Sequence, residues 1–445
     1  MIHSPAGTQE RHDSKVQGGR RERATRAAIL AAIFVAYAAL ALGYITRTPI
    51  WQNPDEPAHY NYVAFVAETG GLPELRAGDW DSALLDRLKN GTLQPTDSLA
   101  SIRYESWQPP LFYLAAAPVY RPGPTSDAAS VVFRLRAFNA VLGGLTLSLA
   151  YLIAREVLPA HLAVFVPAVM VGVPMFTAVS AAVSADPLAN LLAAAALLPL
   201  VRRLRRSVRG MTWPLATGAL IGLGVLAKLA LAIFVPLALA VLVARSARRV
   251  RDSMVLVGTS ALVVAPWLVH QVTTYGWADP FALSRHAAVV QDQPRFPGLS
   301  SAYAGDFLIT TFHSFWAQFG WMALVAPTRL YWAWALLSLA ASTGLVVRER
   351  HRLAEPTWRL LVGVVVTSAV AYIGYNLTFQ QFQGRYLFTA LAPIAILLVA
   401  GWAAWLPARL APWGVALIAA LLVALNAYAL VRVLVPGFMA FAPTG

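Results

Sequence analysis

Apolar runs of about 17–25 residues recur along most of this 445-residue chain, which is the length a bilayer demands of a helix. No other feature constrains the fold as strongly. Composition agrees, because at 58% hydrophobic and 13% charged residues there are too few charges to cover the apolar surface in water. The expectation is an all-α, polytopic membrane protein.

Eleven spans are expected, near 27–46, 131–155, 161–183, 186–201, 213–227, 229–244, 254–272, 328–347, 358–376, 385–405 and 413–434. Residues 1–26 are polar, arginine-rich and without periodicity, so they read as a disordered cytoplasmic tail before a single transmembrane domain, 27–445. The first run is too long for a signal peptide and is followed by further spans. The net charge of +14 is almost all arginine; lysine occurs only at Lys15, Lys89 and Lys228. In a soluble protein that balance would point to nucleic acid, but here it clusters in short loops between spans. Threading from a cytoplasmic N-terminus gathers Arg202, Arg203, Arg205, Arg206 and Arg209 inside, then Arg245, Arg248, Arg249 and Arg251, then Arg348, Arg350 and His351. Short basic loops on one side follow the positive-inside rule, and the C-terminus then falls outside the plasma membrane. Cysteine is absent, so disulfides and thiolate chemistry are excluded. No GxGxxG or P-loop lysine motif is present, which argues against nucleotide chemistry.

Two outer segments are long, about 47–130 and 273–327. PPLFYLAAAPVY (109–120) is apolar but too short to span, as expected of a juxtamembrane helix. SFWAQFGWM (314–322) has the aromatics of the headgroup level. The spans at 213–227 and 229–244 are short, with Lys228 at their junction, and Gly218 and Gly222 form a small-xxx-small step suited to helix packing.

Ionisable groups at membrane depth are costly and usually line a cavity. Threading brings Asp55, Glu56, Glu68, Glu105, Asp186, Asp279, Asp292 and Asp306 to the outer side, together with Lys228, Arg285, His286, Arg295 and Arg385, which predicts one polar cavity opening outward. In WQNPDEPAHYNYV (51–63), Asp55 and Glu56 lie between Pro54 and Pro57. Read alone, they are either a helix start, where carboxylates cap free N–H groups and complement the dipole, or a catalytic pair. Asp55, His59 and Tyr62 recur at i, i+4 and i+7, one face of a helix. Lys228 either snorkels or meets a phosphate, and Arg385 is either a rim arginine or a bidentate phosphate ligand. Asp186 in AVSADPLAN carries turn and helix-start chemistry. His286 and His313 are single histidines without metal-ligand spacing.

Taken in order, NPDEPAHYNYV, ESWQPPLFYL (105–114), VSADPLANLL (183–192), GVLAKLA (224–230), FWAQFGWM (315–322) and QGRYLFTALAP (383–393) resemble the GT-C glycosyltransferases. These are multispanning enzymes that use polyprenyl-phosphate-linked sugars. The motifs are most similar to those of bacterial relatives of protein O-mannosyltransferases and the lipid A aminoarabinose transferase. The resemblance implies a GT-C fold and an inverting transfer of sugar from a polyprenyl-phosphate donor to a glycan, lipid or protein acceptor at the outer face. It implies a catalytic role for Asp55 with Glu56 beside it, and donor-phosphate contacts for Arg385 and Lys228. It further places His59, Tyr62, Glu105, Gln108, Asp186, Gln383 and Tyr386 around the cavity and acceptor. It does not reach the extra spans or outer domain of larger members, so the acceptor stays open. No second well-matched ligand acid accompanies Asp55, so a need for a divalent cation, Mg or Mn, is also open. The rival readings are a lipid-linked-glycan flippase or transporter, and a glycan polymerase or ligase. Transporters tend to show internal repeats with broken helices in matching positions, and no such repeat is visible.

Overall fold

The computed structural model describes residues 6–94, 96–120, 127–206 and 210–441. The chain opens with α1 (Ala6–Arg47), of which Arg20–Arg47 is long and apolar enough to cross a membrane. Residues 6–26, expected as a tail, thus continue the helix, while residues 1–5 of that tail lie outside the described residues. The first long connection carries α2 (Glu56–Thr69), α3 (Ser82–Lys89) and the ten-residue α4 (Leu111–Tyr120), which is the short apolar helix expected there. Then come α5 (Ala128–Val157), the short α6 (Ala160–Ala163), α7 (Val166–Val171) and α8 (Pro174–Ser180), and α9 (Asp186–Arg205). A hairpin of α10 (Thr212–Ala227) and α11 (Phe234–Arg245) turns at Lys228 and leads to α12 (Arg249–Tyr275).

The second long connection holds α13 (Leu283–Val289), α14 (Ser301–Trp316) and a hairpin pairing β1 (Gln318–Phe319) with β2 (Leu324–Val325). After it run α15 (Thr328–Arg348), α16 (Arg350–Leu353), α17 (Pro356–Asn376), α18 (Leu391–Ala404), α19 (Ala411–Ala429) and α20 (Val435–Phe441).

Among the described residues, eight helices are long and apolar enough to cross a membrane, and nine if the bent pair Ala160–Val171 and Pro174–Ser180 counts as one span. That pair bends by 70° at Gly172–Val173, just before Pro174, which cannot donate to the preceding turn. The remaining two of the eleven expected spans are α10, of 16 residues, and the helix Leu229–Arg245, whose first turn is 3-10. Both are shorter than the eight helices long enough to cross, and they meet at Lys228.

α9 is the central strut, with 78% of its apolar window buried against 17% for α12 at the periphery. Alanines along ANLLAAAALL let α5, α10 and α11 close on it. The small-xxx-small step behaves as expected. A Cβ at Gly218 would lie 2.5 Å from Leu256 O of α12, and Ser260 Oγ of α12 donates to Gly218 O at 2.8 Å.

The two long connections meet at one end of the bundle. Ser82 Oγ donates to Asp292 at 3.0 Å, Arg285 Nε to Leu75 O at 3.0 Å, and Trp321 Nε1 to Trp51 O at 2.9 Å. Trp316 belongs to the aromatic stretch 314–322. It is 2% exposed and stacked on Trp334 at 5.4 Å, so its area is spent on the core.

Candidate active site

Asp55 occupies the position before α2, where an aspartate ordinarily caps the helix. It does not cap. Its φ of 66° is in the left-handed region, and no side-chain cap bond forms. That conformation is uncommon for a residue with a Cβ and persists only when its surroundings impose it. Its effect is to turn the carboxylate into a cavity, where it accepts from Tyr104 Oη at 2.9 Å and pairs with the Arg385 guanidinium. Burial raises the Asp55 pKa, but the charge of Arg385 outweighs it, and the net position is below the ordinary carboxylate value.

The charges continue in alternation. Arg385 Nη1 lies 3.8 Å from the Asp186 carboxylate, and Asp186 in turn pairs with Lys228. Asp186 opens α9, with its backbone N–H on Ser184 Oγ at 3.1 Å, so the turn chemistry of Ser-Ala-Asp-Pro aims its carboxylate across at the α10–α11 junction. Lys228 does not snorkel, because the hairpin breaks at that residue and turns its ammonium inward. The Tyr386 ring lies under both cations, 4.8 Å from Lys228 Nζ and 5.5 Å from the Arg385 guanidinium carbon.

These residues line a cavity of about 400 Å³. Asp55, His59, Glu105, Gln108, Asp186, Lys228, Arg385 and Tyr386 all contribute to its wall, bringing together residues from most of the chain. Trp107 and His286 close one side, with ring centres 4.9 Å apart, joining the two long connections. Leu229, Ala230, Ile233 and Ala371 make an apolar wall beside Lys228. Burial pushes the His59 imidazole down to about 4, so it stays neutral at physiological pH, with Nδ1 2.9 Å from Tyr113 Oη. Glu105 behaves oppositely to Asp55. Burial, and then the Asp55 charge, push its carboxyl up to about 8, so it is protonated at neutral pH and leaves the four other charges summing to zero.

Three expected residues are not in the wall. Glu56, expected beside Asp55 as half of a catalytic pair, points the opposite way. It is 0% exposed and takes two bonds from Arg136 of α5, Nε at 2.8 Å and Nη2 at 2.6 Å. The left-handed backbone at Asp55 turns its carboxylate to the cavity, while Glu56, the first helical residue, is drawn the other way by Arg136. Tyr62 stands behind the wall, stacked on Tyr113 at 3.5 Å with its hydroxyl on Gln108 O at 3.2 Å. Gln383 bonds to Gln381 at 2.6 Å instead of reaching the cavity. Sequence reasoning passed over Trp107, Tyr104 and Asn190, and for His286, placed on the outer side, it weighed only a metal-ligand role. Only Trp107 and Asn190 fell inside recognisable motifs, and a lone histidine or tyrosine carries no spacing signal.

The residues do not offer a divalent cation a ready site. Asp55 and Asp186 are each paired with a fixed cation, and among the described residues no three His, Asp or Glu side chains converge.

The arrangement can be set beside known proteins. The family model described as "Predicted membrane protein (DUF2142)" matches residues 96–398, about two thirds of the chain. The chain belongs to this family. The match covers Glu105, Asp186, Lys228 and Arg385 but begins after Asp55. No curated protein sequence matches the chain. Among solved structures it is similar to ArnT from Cupriavidus metallidurans bound to undecaprenyl phosphate, with TM-score 0.56, 17% identity, and coverage of 86% of this chain and 62% of ArnT. It is similar also to AglB from Archaeoglobus fulgidus in complex with an inhibitory peptide and a dolichol-phosphate, with TM-score 0.52, 14% identity, and coverage of 95% and 56%. The apo form of the Archaeoglobus fulgidus oligosaccharyltransferase gives TM-score 0.51 at 14% identity, with 94% and 55% covered. The chain thus spans less than two thirds of each neighbour's length. The fold is GT-C, and the chain is a multi-pass membrane protein.

Proposed function

We propose that this chain transfers a sugar from a polyprenyl-phosphate donor to an acceptor at the outer face of the membrane, with inversion at the anomeric carbon. One observation carries the reading: Asp55, Arg385, Asp186 and Lys228 alternate in charge along one wall of a cavity whose neighbouring wall is apolar. Such a site suits a ligand with an anionic head and an isoprenoid tail. Arg385 and Lys228 hold the phosphate, while Leu229, Ala230, Ile233 and Ala371 take the first isoprene units. The aminoarabinose transferase likeness, with undecaprenyl phosphate bound in that structure, supports the same choice of carrier.

In this reading the acceptor oxygen attacks the anomeric carbon as the bond from that carbon to the phosphate oxygen breaks. The electron pair leaves on the phosphate, where Arg385 and Lys228 stabilise it. Asp55 accepts the acceptor proton or holds its hydroxyl in line. Before the donor binds, Arg385 is engaged with Asp55. A phosphate competes for that guanidinium, and as the pair loosens the carboxylate becomes more basic. Donor binding therefore readies the base. Charge stabilisation is assigned to the two fixed cations, and no step runs through a metal.

Purified full-length protein incubated with a panel of polyprenyl-phosphate sugars should release polyprenyl phosphate and glycosylate an acceptor. Silence with every donor, together with movement of a lipid-linked glycan across vesicles carrying the protein, would overturn the proposal in favour of a flippase. Arg385→Ala should raise the donor KM by roughly ten- to a hundredfold, the worth of hydrogen bonds to a charged group. Equal losses toward donor and acceptor would argue against its phosphate role.

Glu105 sets a pH limit. Above about 8 it ionises and adds a negative charge beside Asp55, so donor affinity should fall as pH rises through that value. Glu105→Gln mimics the protonated form and should retain activity while losing this alkaline limb. The same substitution should stabilise the fold near neutrality. A carboxyl whose folded pKa exceeds its unfolded value loses stability as pH rises between the two, here from 4.5 to about 8. An unchanged pH profile in the variant would exclude Glu105 as the titrating group.

A further inference from the structure

Asn190 lies one helical turn after Asp186 on α9, so the two face the same side. It is 4% exposed and contributes to the cavity wall, yet its Nδ2 is buried without a hydrogen-bond partner. The rest of the stretch 188–198 is alanine and leucine, and a leucine of similar size would fill the space without leaving a polar group unpaired. Arg385 Nε and Trp107 Nε1 are also buried and unpaired, and both residues line the same cavity. Among the described residues these are the buried, unpartnered polar atoms belonging to the wall, and all three are N–H donors. A ligand rich in hydroxyls would call for acceptors as well as donors, whereas an oxyanion calls for donors alone.

We infer that Asn190 is a binding residue for a phosphate oxyanion, its amide joining Arg385 and Lys228 around one phosphate group. The inference rests on the reading of the cavity as a phosphate-lipid site and deepens it. Lys228 is paired to Asp186, a single turn away from Asn190, so the amide flanks that ion pair. Rotation about χ2, which is broad in asparagine, presents the amide to the cavity. A neutral donor adds direction without the desolvation penalty of a third buried cation.

The test uses full-length protein in detergent and three probes: polyprenyl phosphate, polyprenol and inorganic phosphate. Asn190→Leu should weaken polyprenyl phosphate binding roughly tenfold or more, and Asn190→Asp further, because its carboxylate repels the anion. Polyprenol binding should not change. The unliganded Tm of Asn190→Leu should equal or exceed that of wild type, since no native hydrogen bond is lost. Asn190-dependent binding of inorganic phosphate as tight as that of the lipid supports the oxyanion site and assigns it to free phosphate. Weak inorganic phosphate binding with tight lipid binding supports the site and assigns it to the lipid headgroup. Wild-type affinity in Asn190→Leu, or a lowered unliganded Tm, overturns the inference while leaving the donor reading intact. Failure of wild type to bind either phosphate overturns both.

Discussion

Asp55→Asn is expected to lower sugar transfer by roughly a thousandfold, the middle of the range for loss of a positioned proton acceptor, while the protein still inserts and folds. The substitution keeps the shape, and with its one amide oxygen still accepting from Tyr104 the new NH2 faces Arg385, so both the charge and the hydrogen bond of that pair are lost. Arg385 retains Asp186 as a partner, so no guanidinium is stranded. Donor binding should survive or tighten, because the phosphate no longer competes with a carboxylate for Arg385. The measurement is single-turnover transfer alongside the Kd for polyprenyl phosphate. Transfer at wild-type rate would remove Asp55 from the mechanism.

Its neighbour should behave in the opposite way. Glu56→Gln is expected to destabilise the fold by about 3–5 kcal/mol, as when one partner of a buried ion pair is removed. Glu56 and Arg136 are both almost wholly inaccessible, at 0% and 2%. Arg136 also donates Nη1 to Ile45 O at 3.0 Å and Thr48 O at 2.7 Å, and Nη2 to Pro49 O at 2.9 Å, which satisfies carbonyls left open where α1 ends. Glu56 further accepts from Trp51 N at 2.9 Å and Val183 N at 3.2 Å. One ion pair thus joins the end of α1, the start of α2, α5 and the turn before α9. Thermal and denaturant unfolding in detergent should show the loss, while the folded fraction retains transfer. A Glu56→Gln protein as stable as wild type but inactive would return Glu56 to the catalytic pair.

The contrast between these neighbours shows where sequence reasoning stopped. NPDEP marks a helix start whichever carboxylate faces the cavity. Which one does so depends on a left-handed φ at Asp55 and on an arginine 80 residues away from Glu56. Neither leaves a local pattern. Lys228 was legible as an anomaly, because lysine in GVLAKLA breaks an apolar run, but its inward turn follows from a helix break at that residue and from Asp186, 42 positions earlier, as its partner. Tyr62 shares a helix face with Asp55 and His59, yet its ring stacks on Tyr113 at 3.5 Å and its hydroxyl donates to Gln108 O, and it takes no part in the cavity wall.

By itself the sequence determined the class of structure and the poles of the site. Helix length against bilayer thickness, the arginine-rich short loops and the glycine step at 218 and 222 each act locally or through one neighbour, so they can be read in order along the chain. The tertiary structure alone decided that Asp55, Arg385, Asp186 and Lys228 form one alternating series, that Glu56 belongs to the scaffold, and that Asn190 is left with an unpaired donor. The physical reason is that charge pairing in a low-dielectric interior depends on distances of a few ångströms between residues up to 330 positions apart, and helix packing sets those distances.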